Sequence, residues 1–256
     1  ANDFAELNEC AKTLAQAFWP GPLSLVLERR NSAALSLLVS AGLDTVAVRA
    51  PAHPVAQQLL IACALPIAAP SANRSGEVSP TTAAHVAAAL GDEVDEILDG
   101  GACSIGLEST ILDLTRNPPV ILRRGGISDE EISAVVGPLA FNMAEDCRPR
   151  SPGQLYRHYA TQLSLRTNAT EVQSGEALLG FGRHTVTGAA AERNLSPAGD
   201  LTEAAANLFA MLRDLDRPEY NGIAVVPVPE VGIGRAINDR LRRAAAPKFI
   251  NNRDNA

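Results

Sequence analysis

The chain is poor in several things that usually announce a function. Aromatic residues fill only 4% of its 256 positions, and there are four cysteines and four histidines. No uninterrupted apolar run approaches the about 18 residues that a membrane-spanning helix needs. The opening ANDFAELNEC has no basic stretch followed by an apolar one, so it does not read as a secretory signal. Cys10, Cys63, Cys103 and Cys147 are far apart and form no CxxC pair, and the histidines form no HExxH. Those spacings weigh against a zinc knuckle, a metal centre and a dense disulfide scaffold, and favour reduced thiols in a cytoplasmic protein. Positive charge is also in deficit. A net charge of −7 argues against a general nucleic-acid binder and leaves room only for a local basic site. What remains, 46% apolar and 20% charged residues, is the composition of a globular chain with a sizeable core.

Periodicity predicts an opening helix over Phe4–Phe18, capped by Asn2 or Asp3 and stopped by Pro20-Gly21-Pro22. A strand follows at Leu23–Leu27, then a short helix at Ala33–Ser40 ended by Gly42. Next come a buried strand at Thr45–Arg49, a helix from Pro54 to about Ala64 and a short strand at Ile67–Ala69. Ser79-Pro80 reads as a helix start, with Ser as N-cap and Pro in the first position, for a helix ending at Gly91. Strands are expected near Glu96–Asp99, Ser109–Leu114 and Val120–Arg123, and Ser128 caps a helix over Glu130–Val136. Leu139–Leu165 has no clear period, yet carries Tyr156 and Tyr159 and reads as an ordered linker. Beyond it lie a strand at Ala177–Phe181, a helix at Thr202–Leu215 capped by Thr202, a strand at Ile223–Val226 and a helix at Ala236–Ala245. The alternation means α/β architecture with a mixed or parallel sheet, where ligands gather at strand ends.

Five segments could carry chemistry. Between Ser71 and Thr82, six small hydrogen-bonding side chains (Ser71, Asn73, Ser75, Ser79, Thr81 and Thr82) fall within twelve positions. They lie between a strand and a helix start, a place where backbone N–H groups can meet an anion, although the same residues also make ordinary capped turns. Arg49 and Arg123 end apolar strands, with Arg124 beside the second. Such forks suit a carboxylate or phosphate, or else exposed ion pairs. The glycine-rich Gly100–Thr110 segment is neither a Walker loop nor GxGxxG, and its Cys103 has no assignable base and reads as an inert thiol. In Ser151–Tyr159, the tyrosines and Arg157 could stack on an adenine or could pin the linker to a domain surface. Gly232–Leu241 could be a nucleotide turn or simply close helix–strand packing. No catalytic triad, paired carboxylate or nucleophilic cysteine emerges, so no residue is assigned as catalytic.

Taken in order, these blocks resemble one family. FWPGPLSLVL (Phe18–Leu27), TVAVRAPAHP (Thr45–Pro54), PIAAPSANRSG (Pro66–Gly76), SPTTAAHV (Ser79–Val86), ILDGG (Ile97–Gly101), GLESTILDL (Gly106–Leu114) and ILRRGGIS (Ile121–Ser128) are similar to the YrdC-like domain of threonylcarbamoyl-AMP synthases. SPGQLYRHYA (Ser151–Ala160) is similar to the linker of the long form, and GIGRAINDRLRRAA (Gly232–Ala245) to its C-terminal domain. The resemblance implies a YrdC-like twisted mixed sheet with helices over residues 1–140. It implies an ordered linker over 141–165, a small Rossmann-like α/β domain over 166–247 and a tail over 248–256.

It also implies a nucleotidyltransferase that makes threonylcarbamoyl-AMP and pyrophosphate from threonine, bicarbonate and ATP with Mg²⁺. The product would feed t6A37 modification of tRNA through a downstream threonylcarbamoyl transferase, in the cytoplasm, without membrane or stable nucleic-acid contacts. Carried across position by position, Arg49, Ser71 and Ser109 would hold threonine. Thr45, Asn73, Thr81, Arg123 and Tyr159 would hold the nucleotide, and Tyr156, Arg157 and His158 would form a closing linker lid. Two departures stand out. The family carries a PTET-YGL segment and a phosphate-binding K-x-R-P motif ahead of the helix at which this sequence opens. The expectation is therefore an omitted N-terminal segment or a truncated copy with half its site missing. The only lysine of the N-terminal half is Lys12, in the opening helix. The second departure is Thr161, where the family's linker continues with Pro. The alternatives to the enzyme are an RNA-binding or regulatory YrdC-like module and an inactive truncated paralogue. A carbamoyl-adenylate-forming domain of hydrogenase maturation would need acylphosphatase and zinc-finger segments that the sequence lacks.

Overall fold

The computed structural model describes residues 1, 3–30, 35–141 and 158–247. Two sheets organise them. The first has strands β1 (Leu23–Glu28), β2 (Thr45–Val48), β3 (Thr110–Asp113), β4 (Val120–Arg123) and β5 (Ala140–Phe141), in the order β2-β1-β3-β4-β5. It is mixed: β1 runs antiparallel to β2 and parallel to β3, and β3 runs antiparallel to β4. Helices α1 (Glu9–Phe18) and α4 (Asp129–Val136) pack against each other. With the sheet they close a core of Leu14, Leu23, Leu25, Leu27, Leu112, Ile121 and Ile132. Helices α2 (Pro54–Cys63) and α3 (Ala83–Leu90) belong to the same half but bury no residue.

The second sheet is wholly parallel. Its strands β6 (Leu165–Arg166), β7 (Glu176–Gly180), β8 (Glu192–Asn194) and β9 (Gly222–Val225) stand in the order β6-β9-β7-β8. Every residue of β7 and β9 is buried, as expected of parallel strands covered on both faces. Helices α5 (Leu201–Leu215) and α6 (Gly234–Ala244) cover one face. Ala169, Leu178, Ala224 and Val226 form a smaller cluster of their own. The main second core reaches into the first half, because Val78 and Leu107 pack in it together with Tyr159. Gly106 is what lets the chain come so close: a Cβ there would stand 2.3 Å from the Ala205 carbonyl oxygen of α5.

Several local expectations change. The opening helix begins at Glu9, because Asn8 caps it with an acceptor 2.8 Å from the Ala11 N–H. Residues 4–6 instead zip along the end of β1, with Ala5 bridged to Arg29. Asn2, proposed as a cap, lies outside the described residues, as do Asn31–Ala34 at the start of the expected 33–40 helix. Of that helix, Leu37–Ser40 forms a single 3₁₀ turn. β2 is a sheet edge in which only Val46 is buried, not the buried strand expected. Ile67–Ala69 and Glu96–Asp99 find no strand partner and stay irregular, with Ile67 and Leu98 exposed. The Ser79-Pro80 pair starts no helix: α3 is capped by Thr82, three residues on. Asp200, not Thr202, caps α5 through its carboxylate. β5, β6 and β8 were not expected from sequence. The capping box of Ser128 and Glu131 sets the start of α4 where the sequence puts it, to within a residue.

Candidate active site

Strand register decides which candidates meet. Val48 pairs with Leu25 near the start of β1, Leu23 pairs with Thr110 at the start of β3, and Arg123 pairs with Ile111. Arg49, Ser109 and Arg123 therefore lie at one end of the first sheet. Thr45 pairs with Glu28 at the other end of β2, so the structure does not bring it to this cluster.

Arg123 is docked. Its guanidinium donates to the Ser109 carbonyl at 2.9 and 3.2 Å and to the Ser109 hydroxyl at 3.3 Å. The same hydroxyl lies 2.8 Å from Ser24 Oγ. Burial lowers the pKa of Arg123, and the charges of Arg240 and Arg49 lower it further, while Glu108 and Tyr159 oppose them. Arg49 makes no side-chain hydrogen bond or ion pair among the described residues. It is exposed, yet partial loss of water lowers its pKa as well. Around Arg123, cations thus outnumber the carboxylate, a field suited to a polyanion.

The loop expected to bind anions converges on the same place. Ser79, buried, donates its hydroxyl to Glu108 Oε1 at 2.8 Å. Glu108 is the residue before Ser109. Burial alone would raise its pKa, but Arg240, Arg123 and the Ser79 hydroxyl overcome that and hold it at about 2. Asn73 donates to the carbonyls of Arg74 and Glu77, and its buried Oδ1 has no partner among the described residues. Thr81 is buried; its hydroxyl meets His85 Nδ1 at 3.3 Å, and its carbonyl accepts from Cys103 N–H at 2.9 Å. Ser71 is exposed on the loop without a side-chain hydrogen bond among the described residues.

The exit of the linker lies alongside this loop, with Ala160 bridged to Glu77. Tyr159 is wholly buried. Its ring stacks on Phe209 at 5.3 Å, and Arg240 stands over it at 5.0 Å. The ring therefore pins the end of the linker to the C-terminal half, and what it leaves unpaired among the described residues is a buried hydroxyl whose pKa burial pushes up to about 12. Burial, aided by Arg240, Arg243 and Arg123, lowers the pKa of His158 against the opposing Glu108 charge, so the imidazole is neutral at pH 7. Tyr156 and Arg157 lie outside the described residues. Cys103 is exposed, and burial of its thiol raises its pKa, in keeping with an inert thiol. Gly234 serves packing: a Cβ there would stand 2.1 Å from the Pro229 carbonyl oxygen.

Sequence reasoning missed Glu108, Ser79 in its actual role, and Arg240. Among the described residues no group of three or more His, Cys, Asp and Glu side chains could cage a metal ion. The carboxylate nearest the cluster, Glu108, is already engaged by Arg240 and Ser79. Among the described residues this donor set does not cage a cation. Two clefts of about 480 and 450 Å³ lie elsewhere, and neither is lined by Arg49, Ser109 or Arg123.

Comparison with known proteins agrees with the sequence blocks. Residues 1–125 match the family described as Telomere recombination, and residues 127–246 match the Threonylcarbamoyl-AMP synthase C-terminal domain. The threonylcarbamoyl-AMP synthase of Pyrococcus abyssi is 40% identical over 96% of this chain and 76% of its own length. That of Bacillus subtilis is 40% identical over 94% of this chain and 75% of its own. The crystal structure of P. abyssi Sua5 complexed with L-threonine superposes with a TM-score of 0.85 at 37% identity, covering 94% of this chain and 76% of that one. No helix among the described residues is long and apolar enough to cross a membrane.

Proposed function

The chain belongs to the threonylcarbamoyl-AMP synthase family, and from that premise we propose that the strand-end arginine cluster is where it joins threonine, bicarbonate and ATP into threonylcarbamoyl-AMP. The observation that carries the reading is the contrast between its two arginines: Arg123 is locked onto Ser109, while Arg49 stands without an ion-pair partner among the described residues. One cation is built in and the other is left for a ligand.

In this reading the Arg49 fork, with Ser71, holds the threonine carboxylate, and the Ser109 hydroxyl lies beside the substrate. The threonine amine adds to bicarbonate to give a carbamate, with loss of water. A carbamate oxygen then attacks the α-phosphorus of ATP, the bond to the bridging oxygen of the β-phosphate breaks, and pyrophosphate leaves. The protein's part is to position anions and offset their charge, which suits a site without nucleophile or general base. Arg123 faces the phosphates, Thr81 lies on the nucleotide side, and the unpartnered Asn73 Oδ1 is an acceptor for a base amine. His158 and Tyr159 anchor the exit of the linker beside the site. Mg²⁺, if carried in on the ATP phosphates, would supply charge screening for the departing pyrophosphate. The reaction class is nucleotidyl transfer. Its product, a labile mixed anhydride, goes to a tRNA threonylcarbamoyl transferase in the cytoplasm.

Mass spectrometry of reactions with ATP, Mg²⁺, bicarbonate and threonine, each omitted in turn, tests the proposal. A threonylcarbamoyl-adenylate peak that needs every component is expected. Its absence from folded protein would overturn the reading in favour of a binding-only member of the family.

A further inference from the structure

The largest wholly buried side chain among the described residues is charged: Arg240, on α6. A buried guanidinium is tolerated only when its donors are satisfied in good geometry. Here Nε donates to Glu108 Oε2 at 2.9 Å, one terminal nitrogen to the Arg124 carbonyl at 2.8 Å, and the other to Asp239 at 2.7 Å. Two of the three acceptors belong to the other half of the molecule, and their places in the chain matter. Glu108 immediately precedes Ser109, and Arg124 immediately follows Arg123. The two segments also touch directly. The Gly126 N–H donates to the Glu108 carbonyl at 3.0 Å, and a Cβ on Gly125 would stand 2.3 Å from that same oxygen.

We infer that Arg240, contributed by the C-terminal half, is a positioning residue for the Ser109–Arg123 pair: its fork grips the neighbour of each and fixes their separation. The inference rests on the functional reading above, in which those two side chains meet threonine and phosphate. Planarity is what this role requires. A guanidinium presents donors in a fixed fork and can hold two acceptors at a set distance, whereas an ammonium is a single point charge on a flexible stem. The Glu108 carboxylate, held by Ser79 on its other oxygen, transmits the grip to the anion loop as well. This gives the C-terminal half a part in the chemistry without a contact to substrate.

The test compares Arg240→Lys, Glu108→Gln, their double variant and Arg242→Ala, an exposed arginine on the same helix, for KM and kcat of adenylate formation. Hydrogen exchange is followed in parallel over residues 107–110 and 123–127. Arg240→Lys and Glu108→Gln should each raise KM for threonine and for ATP at least tenfold. The double variant should be no worse than the worse single one, and exchange should quicken in both segments. Arg242→Ala should match wild type. Wild-type KM in Arg240→Lys would show that charge alone suffices and overturn the inference, as would multiplying effects in the double variant. Should Arg240→Lys not fold, Glu108→Gln carries the test, since Asp239 still pairs Arg240. If wild type itself makes no adenylate, the functional reading fails on its own. Unchanged exchange in the two segments then refutes the tie, and quickened exchange upholds it.

Discussion

The two halves of this molecule bury their chains to different depths. In the C-terminal half every residue of β7 and β9 is buried, and α5 contributes Ala204, Ala205, Leu208, Phe209, Leu212 and Leu215 to one core. In the N-terminal half α2 and α3 bury nothing, and Leu38, Ile61 and Leu65 are among the most exposed apolar side chains. The residues proposed to meet substrate lie on the thinner side, on strand ends and loops. What holds them is a set of hydrogen bonds, the Glu108–Arg240 pair, and the reach of the second core into the first half through Val78, Leu107 and Tyr159. Ligand sites are drawn from the less stable parts of a fold. Here the stable part lends its rigidity through a few specific contacts.

The most damaging way to break this contrast is Phe209→Ala. Phe209 is wholly buried and forms the stack that pins Tyr159. Its loss should cost about 3–5 kcal/mol, read as a lower denaturation midpoint. The linker should loosen with it, so adenylate formation should fall even in the protein that remains folded.

Acid should break it from another side. Glu108 is held at about 2 in the fold against 4.5 when free. A depressed carboxylate contributes stability that is present above the unfolded value and is lost as pH falls through the folded one. The window is therefore pH 4.5 down to 2, and the loss is about 3 kcal/mol. Denaturation curves of wild type should weaken across that window by more than those of Glu108→Gln. Equal slopes would mean that the pair contributes nothing to the contrast between the halves.

Arg49→Ala and Arg123→Ala separate function from stability. Each should lower kcat/KM about 10²-fold, the scale of removing one preorganised charge-stabilising donor. Arg49, without a side-chain hydrogen bond or ion pair among the described residues, should leave the melting midpoint unchanged. Arg123 should lose about 1–3 kcal/mol in addition, because its docking onto Ser109 goes too. Normal turnover in both would remove the arginine cluster from the site.

How much of this the sequence discloses depends on range. β1, β3, β4, β7 and β9 are short apolar runs, and α4 carries its own capping box, so local chemistry announces them. β6 and β8 are two and three residues long, and β8 is polar; only the neighbouring strand defines them. Ser79-Pro80 has the local signature of a helix start, yet its hydroxyl goes to Glu108, 29 residues away. Tertiary demand overrides the local signal there. Glu108 and Arg240 are 132 residues apart, and no spacing rule joins them. One clue was legible: Arg240 falls on the same helical stripe as Ala236, Ile237, Leu241 and Ala244, all buried, whereas Arg242 on the opposite side is exposed. An arginine in an apolar stripe asks for a buried acceptor, and the sequence could show that need without showing who meets it.

The smallest effect sharpens the comparison most. Ala64 ends α2 in the left-handed region, φ +52°, and is exposed. A side chain there is strained, and glycine is the residue that such a helix end prefers. Ala64→Gly should stabilise α2 by about 0.5–1 kcal/mol, the usual scale of a helix-end correction. If the halves differ as described, α2 opens locally before the molecule unfolds. The gain should then appear as amide exchange in residues 55–64 slowed about 2–5-fold, while the global midpoint stays where it was. A midpoint that rises by the full amount would mean that α2 unfolds with the core, and that its exposed apolar face hides a tighter coupling to the sheet than its burial suggests.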